Sequence, residues 1–241
     1  MRRFWKDVTV EQSAYGLAIR LDGKPVKTPL RAELIVPTKS LAAAVIAEWE
    51  AVAEKIDPAS MPITGFANAA IDRIGPERAT FVEAISAYGE TDLFCYRAEA
   101  GEPLAVRQAE VWDPWLDWAR TRHGITFNII KGIMPQPQPP ETVARLKAAV
   151  TSRGTFELAA MAKLAHLSGS LVVTLALVEQ AGTALELWNA SCLDELWQEE
   201  LWGEDYFATR NRNDREAEFM QAAQFLGLLR ADANNPMSSQ H

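Results

Sequence analysis

The 241-residue chain is poor in the side chains that build metal and disulfide sites, with two cysteines, Cys95 and Cys192, and three histidines, His123, His166 and His241. Two cysteines are too few for a secreted disulfide framework, and each falls in an apolar stretch, so both are expected as reduced, buried thiols. The five residues lie far apart in sequence and give no metal signature. A phosphate-binding loop is missing: Gly16 and Gly23-Lys24 have six residues between them and a proline follows. No Gly-x-Ser-x-Gly elbow is present, and Ser170 stands in apolar helical sequence. No apolar run reaches the roughly 20 residues that cross a bilayer. The longest, 164–178, contains His166 and Ser168 and reads as a buried core helix.

Positive charge is also in short supply. Twenty-four Lys+Arg stand against 32 Asp+Glu, a formal charge of -8, which opposes any general grip on a phosphate backbone and excludes nucleic acid as the expected partner. The opening MRRFWKDVTVEQ has no apolar run of signal-peptide length behind its arginines, so a cytoplasmic protein is expected.

What is present is ordinary globular material, 48% hydrophobic and 23% charged, in a chain long enough for one large or two modest domains. Between 8 and 37 the sequence is β-like: VTVEQ, YGLAIRLD, the turn pair Asp22-Gly23, PVKTP and ELIVP. Asp-Gly between apolar runs is a hairpin signal. From Thr38, a plausible N-cap, helical spacing takes over with Leu41, Val45, Trp49 and Val52. Further helices are predicted over TGFANAAIDRI and ERATFVEAISAYG, the latter closed by Gly89 as a C-cap, and over 103–122, where Trp112, Trp115 and Trp118 recur at three-residue steps. ITFNII is a candidate short strand, and PQPQPP at 135–140 a stiff connector and possible subdomain boundary. Helices are then expected over 141–152, 155–180 with a break near 168–170, 183–202 and 206–229, before a flexible tail at 231–241. The fold class is therefore α+β: a small antiparallel β domain, 1–37, followed by a mainly helical domain, 38–230.

The densest chemistry lies in SCLDELWQEELWGED at 191–205, with six acidic residues and two tryptophans. Leu185, Trp188, Cys192 and Leu196 fall on one side of a continuous helix and Leu193, Trp197 and Leu201 on another, which predicts a largely buried element. Seven residues are close to two turns, so Trp188, Glu195 and Trp202 would stack in one line, a carboxylate between two indoles. The plain reading of Glu195 is an ion pair or cap with an arginine elsewhere. A sharper one is a binding hot spot, since indoles and a carboxylate between them dominate interface energetics. A third is a general acid whose pKa is raised by burial in a Trp-lined pocket. Two other stretches carry placed polar residues, Asn68, Asp72, Arg73, Thr91, Asp92 and Arg97. For Asp72-Arg73 and Asp92 the expected role is internal, as a buried pair, an N-cap or a helix-to-helix tie, because polar residues in packed helical proteins must find partners, with a functional role as the alternative. The three tryptophans of 112–118 read as core or interdomain packing, with an exposed hydrophobic binding patch as the alternative.

Seven ordered blocks carry a resemblance to a known family: RFWKDVTV at 3–10, LDGKPVKTP at 21–29, AEWEA at 47–51, IDPASMPITGFANAAIDRI at 56–74, YGETDLFCYRA at 88–98, WDPWLDWA at 112–119 and LDELWQEELWGED at 193–205. Together they resemble, nearly end to end, the ATP synthase assembly chaperones that handle the α subunit of the catalytic head. The resemblance implies a small β domain followed by a helical one, no enzymatic activity, no cofactor and no metal. It implies a protein client, the free α subunit, covered on the surface that later meets β subunits, by a monomer presenting one face. An acidic residue in the block matching 193–205 matters in this family, and it carries over to Glu195, with Asp194 as the alternative. The partner-binding set implied is Trp188, Asp194, Glu195, Gln198, Glu199, Trp202 and Asp205. A start almost at the first shared block, with no targeting presequence before it, fits a bacterial member.

Overall fold

The computed structural model describes residues 2–132 and 136–232. The chain forms two compact units: Met1–Arg78 with Gly154–Ala160 and Gln221–His241, and Ala79–Arg153 with Met161–Met220.

The first unit opens with a four-stranded antiparallel sheet, β1 (Val8–Ser13), β2 (Gly16–Leu21), β3 (Lys24–Pro25) and β4 (Ile35–Val36). Strand β2 is central: β1 runs along one edge from Val8↔Leu21 to Ser13↔Gly16, while β3 and β4 pair with the two ends of the other edge. Asp22 and Gly23 both take positive φ, 47° and 76°, the hairpin turn that matches strand twist. The Asp22 carboxylate accepts the backbone N–H of Lys6 and Asp7, which holds its pKa below the usual value.

Helix α1 (Lys39–Ala51) starts as expected, with the Thr38 hydroxyl accepting from the Leu41 N–H, and it buries Leu41, Ala42, Val45 and Trp49. Such a face is what lets a small sheet acquire a core. The Trp49 indole meets Trp5 edge-on at 5.2 Å. Asp232 also caps this helix, accepting the Lys39 N–H and the Ser40 hydroxyl; it belongs to the stretch read as tail, the rest of which, 233–241, lies outside the described residues. Glu48 in turn caps α2 (Pro62–Ala69), accepting the Ile63 and Thr64 N–H at 2.7 Å each. One π-helical turn, Ala70–Ile74, follows and presents Asp72 to the Thr28 hydroxyl and the Leu30 N–H at 2.6 and 2.9 Å. Asp72 thus ties helix to sheet loop, the internal role expected of it.

The second unit is helical. Helix α3 (Arg78–Ser86) runs into a 3-10 turn, Ala87–Gly89, and a second 3-10 turn, Leu93–Cys95, leads to β5 (Tyr96–Arg97). Helix α4 (Pro103–His123) ends on Gly124 in the left-handed conformation. It buries Trp112 completely and leaves Trp115 and Trp118 half-buried. Strand β6 (Ile130–Lys131) pairs in parallel with β5, so of the candidate strand ITFNII only the last residue is strand. Gln138 in the proline-rich connector is buried and exchanges two hydrogen bonds with the Asn128 backbone. Both flanks of the connector belong to this unit, and its Pro135 lies outside the described residues. Helices α5 (Pro140–Thr151), α6 (Thr155–Ser168), α7 (Leu171–Val178), α8 (Ala184–Ser191), α9 (Leu193–Trp202) and α10 (Tyr206–Arg230) follow; the start of α6 and the end of α10 belong to the first unit.

The apolar run 164–178 is indeed core, but in two helices: Gly169 at φ 65° ends α6 and the Ser170 hydroxyl caps α7 by accepting the Val173 N–H. Every residue of α7 is buried. The wholly buried Asp92 accepts the Phe94 N–H, the Ser170 hydroxyl and the Val172 N–H at 2.8–3.1 Å, tying two helix starts together. Gly89 is no left-handed cap. A Cβ there would lie 2.9 Å from a Leu146 methyl and 3.1 Å from one of Leu171, so the site needs a glycine for close packing. Among the described residues no helix is long and apolar enough to cross a membrane.

Candidate functional site

Helix α8 begins on a capping box in which the Thr183 hydroxyl accepts the Glu186 N–H while the Glu186 carboxylate accepts the Thr183 N–H and hydroxyl. It ends at Ser191, and α9 starts at Leu193. Cys192, at φ -96° and ψ 8°, departs from helical geometry between them, so the seven-residue stacking that would align Trp188, Glu195 and Trp202 fails at its first step. Trp188 is buried against Phe219, ring centroids 5.3 Å apart, whereas Trp202 is 82% exposed. Within α9 the spacing does hold, and Glu195, Gln198 and Trp202 lie on its exposed side.

Glu195 has an arginine partner from α10. Its carboxylate pairs with Arg215 at 2.5 Å, and the Arg215 guanidinium lies 5.6 Å over the Trp188 ring. One turn further along α9, Glu199 pairs with Arg212 at 2.6 Å. Two ion pairs therefore fasten α9 to α10. On its other flank α9 is fastened to α4: the Arg107 guanidinium grips Glu200 through two hydrogen bonds at 2.9 and 3.0 Å and lies 5.7 Å from the Trp197 ring centre. Asp194 accepts from the Gln108 side-chain amide at 2.8 Å, and Gln108 in turn accepts the Ala98 N–H. Asp205 accepts the Ala208 N–H at the start of α10. Of the seven residues singled out, Gln198 and Trp202 are the two without a side-chain hydrogen bond or ion pair among the described residues that also stand exposed.

The helix pair is not largely buried. At the α9–α10 turn, Leu201 is 56% exposed, Tyr206 67% and Phe207 78%, beside Trp202. Gly203, at φ 87°, reverses the chain so that Trp202 and the Tyr206–Phe207 pair flank one turn. Tyr206 and Phe207 meet edge-on at 5.5 Å and hold each other in place. Neither stood out in the sequence, because two aromatics after a Gly-Glu-Asp turn read as the first residues of another amphipathic helix. The signal available was that the apolar stripe of α10, through Phe219, Ala222, Phe225 and Leu226, begins only a dozen residues later.

The titratable groups here offer structure rather than chemistry. The Cys192 thiol is pushed up to about 11, first by burial and then by the Glu195 charge, and is a packed thiol. Burial likewise pushes the Cys95 thiol up. Among the described residues no group of three or more His, Cys, Asp or Glu is placed to hold a metal ion.

The family model described as ATP12 chaperone protein matches residues 2–120. The crystal structure of Atp12 from Paracoccus denitrificans is 39% identical and superposes with a TM-score of 0.92 over 95% of this chain and 98% of that one. An Asp-to-Lys variant of the same Paracoccus protein matches equally well. Among curated proteins, the mitochondrial protein atp12 of Schizosaccharomyces pombe is 24% identical over 215 residues, covering 84% of this chain and 74% of the relative.

Proposed function

The chain belongs to the ATP12 chaperone family of ATP synthase assembly factors, and from that membership we propose that it binds the free α subunit of the catalytic head, shielding it from aggregation until β subunits pair with it. The observation that supports this reading is the aromatic patch of Leu201, Trp202, Tyr206 and Phe207. Four large apolar side chains are held in water within seven residues, on a turn braced from both sides by ion pairs. An exposed apolar cluster rimmed by polar groups is the feature expected of a surface that covers another protein's apolar face. In this reading the protein is not an enzyme and needs no cofactor; it acts as a cytoplasmic monomer through surface complementarity. Client release follows when β competes for the same surface, which calls for moderate affinity and a partly polar interface.

Within the site, Trp202 and Gln198 face the client together with Tyr206 and Phe207. Glu195, Glu199, Asp194 and Asp205 set the position of α9 and of the turn, and Trp188 is the core residue on which Arg215 rests. The competing reading, Glu195 as a general acid in a Trp-lined pocket, requires burial. The Glu195 side chain is 45% exposed and ion-paired, and its two supposed flanking indoles lie in opposite environments.

The test is co-expression with the ATP synthase α subunit of the same genome, one partner tagged, with β as control. Soluble α co-purifying with this chain, β left behind, and α lost from the complex with the Trp202→Ser/Phe207→Ser variant are the expected results. No complex and no gain in soluble α would overturn the reading.

A further inference from the structure

The aromatic patch is too small to hold a client alone. Its three aromatic side chains and one leucine, each already part-covered, can bury roughly 650 Å² at most, given the 150–250 Å² of a fully buried aromatic. A specific interface needs about 800 Å² from each partner. The patch falls short of that standard size, and α9 leads from it to a second apolar region. Along its N-terminal half, α9 borders a cleft of about 530 Å³ between α4 and the α8–α9 pair, lined by Val111, Trp115, Ala190, Leu193 and Leu196, with Arg107, Glu186 and Asn189 at the mouth. Leu196 in the cleft and Trp202 in the patch are six residues apart on one helix, about 9 Å of axial rise.

We propose that this cleft is the second half of the client footprint and takes an apolar segment of the α subunit that carries a basic side chain. The proposal rests on the α-subunit reading above and names where, and by what chemistry, that subunit is held. The cleft has an apolar floor. Trp115 packs closely on Gly182, where a Cβ would lie 2.4 Å from the indole ring. Asn189 is exposed at the mouth, and its carboxamide has no hydrogen-bond partner among the described residues. A side-chain amide in that position can donate to and accept from the backbone of an incoming segment. Of the two charged mouth residues, Arg107 is neutralised by Glu200, whereas no cation pairs with Glu186 among the described residues. The hydrogen bonds that Glu186 accepts from Thr183 hold its carboxyl below the usual range and keep it anionic. The mouth therefore carries net negative charge above an apolar floor, complementary to an aliphatic segment with a Lys or Arg.

The experiment measures the affinity of the purified chain for purified α subunit at two salt concentrations, with melting curves as the fold control. Asn189→Trp fills the mouth from an exposed position and is expected to weaken binding at least tenfold. Glu186→Gln keeps the capping box but removes the charge, and is expected to weaken binding several-fold and to flatten its salt dependence. Both variants should melt with the wild type. Wild-type affinity in Asn189→Trp, with binding still lost in Trp202→Ser/Phe207→Ser, would overturn the cleft proposal and leave the α-subunit reading standing. Failure of the wild-type chain to bind α would overturn both.

Discussion

Asp92 is a wholly buried carboxyl. Burial raises its pKa to about 6, against which the hydrogen bonds from Val172, Ser170 and Phe94 work to keep the carboxylate charged. A carboxyl whose folded-state pKa exceeds its unfolded value of 3.8 binds more protons folded than unfolded between those limits. Its stabilising contribution is full below pH 3.8 and is lost as pH rises through about 6, a swing on the order of 3 kcal/mol. Asp92→Asn removes the titration, and its amide cannot accept from both the Ser170 hydroxyl and the Val172 N–H as the two carboxylate oxygens do. Denaturant titrations of wild type and variant should therefore show the wild type ahead at all pH values, with an advantage larger at pH 4 than at pH 7. An advantage independent of pH would show that Asp92 stays charged throughout. Glu195 is a contrasting case. Its pair with Arg215 is half-exposed and belongs to the class of surface ion pairs that contribute about 0–1 kcal/mol, so its effect lies in where it sets α9.

At the scale of the element, the turns and breaks carry the specific information. The 3-10 turn Ala87–Gly89 brings its glycine against Leu146 of α5 and Leu171 of α7, and the contact is between a backbone carbon and two buried methyl groups. Gly89→Ala would force those leucines off their rotamers, an overpacking cost of about 1–3 kcal/mol. A fall of several degrees in Tm is expected, with α-subunit binding retained once the protein is folded, because the turn lies outside the proposed footprint. An unchanged Tm would mean that α5 and α7 can yield at this point. The break at Cys192 matters in a different way: it parts α8 from α9, so that Trp188 is committed to the core while α9 presents Gln198 and Trp202 outward.

For the whole molecule, the proposed function places client binding in side chains other than those that carry stability. The core of the second unit runs through the buried Trp112, Trp188, Phe219 and the whole of α7, whereas Leu201, Trp202, Tyr206 and Phe207 are exposed. Trp202→Ser/Phe207→Ser should accordingly leave Tm within about 2 °C of wild type, since exposed substitutions away from caps and cores cost little. It should also reduce binding of an apolar dye and improve solubility of the free chaperone. A cooperative loss of several kcal/mol would instead identify the patch as part of the core. The formal charge of -8 acts at the same scale, opposing self-association of a protein with exposed aromatics, and it is compatible with the basic client segment proposed above.

The sequence by itself determined the order of the elements that carry strong local signals: Thr38 as a cap, Asp22-Gly23 as a hairpin turn, the break near 168–170 and the apolar run of α7 all lie where the spacing puts them. It also determined the family, through ordered blocks spread along the chain. Periodicity assumes an unbroken axis, and so it placed Trp188, Glu195 and Trp202 in a line that the departure at Cys192 destroys. The tertiary structure alone decided that Glu195 meets Arg215, twenty residues away, that Gly89 serves close packing rather than capping, and that Tyr206 and Phe207 remain in water. Each of these depends on which neighbour a residue meets in space, and one helix's spacing carries no information about the helix packed against it.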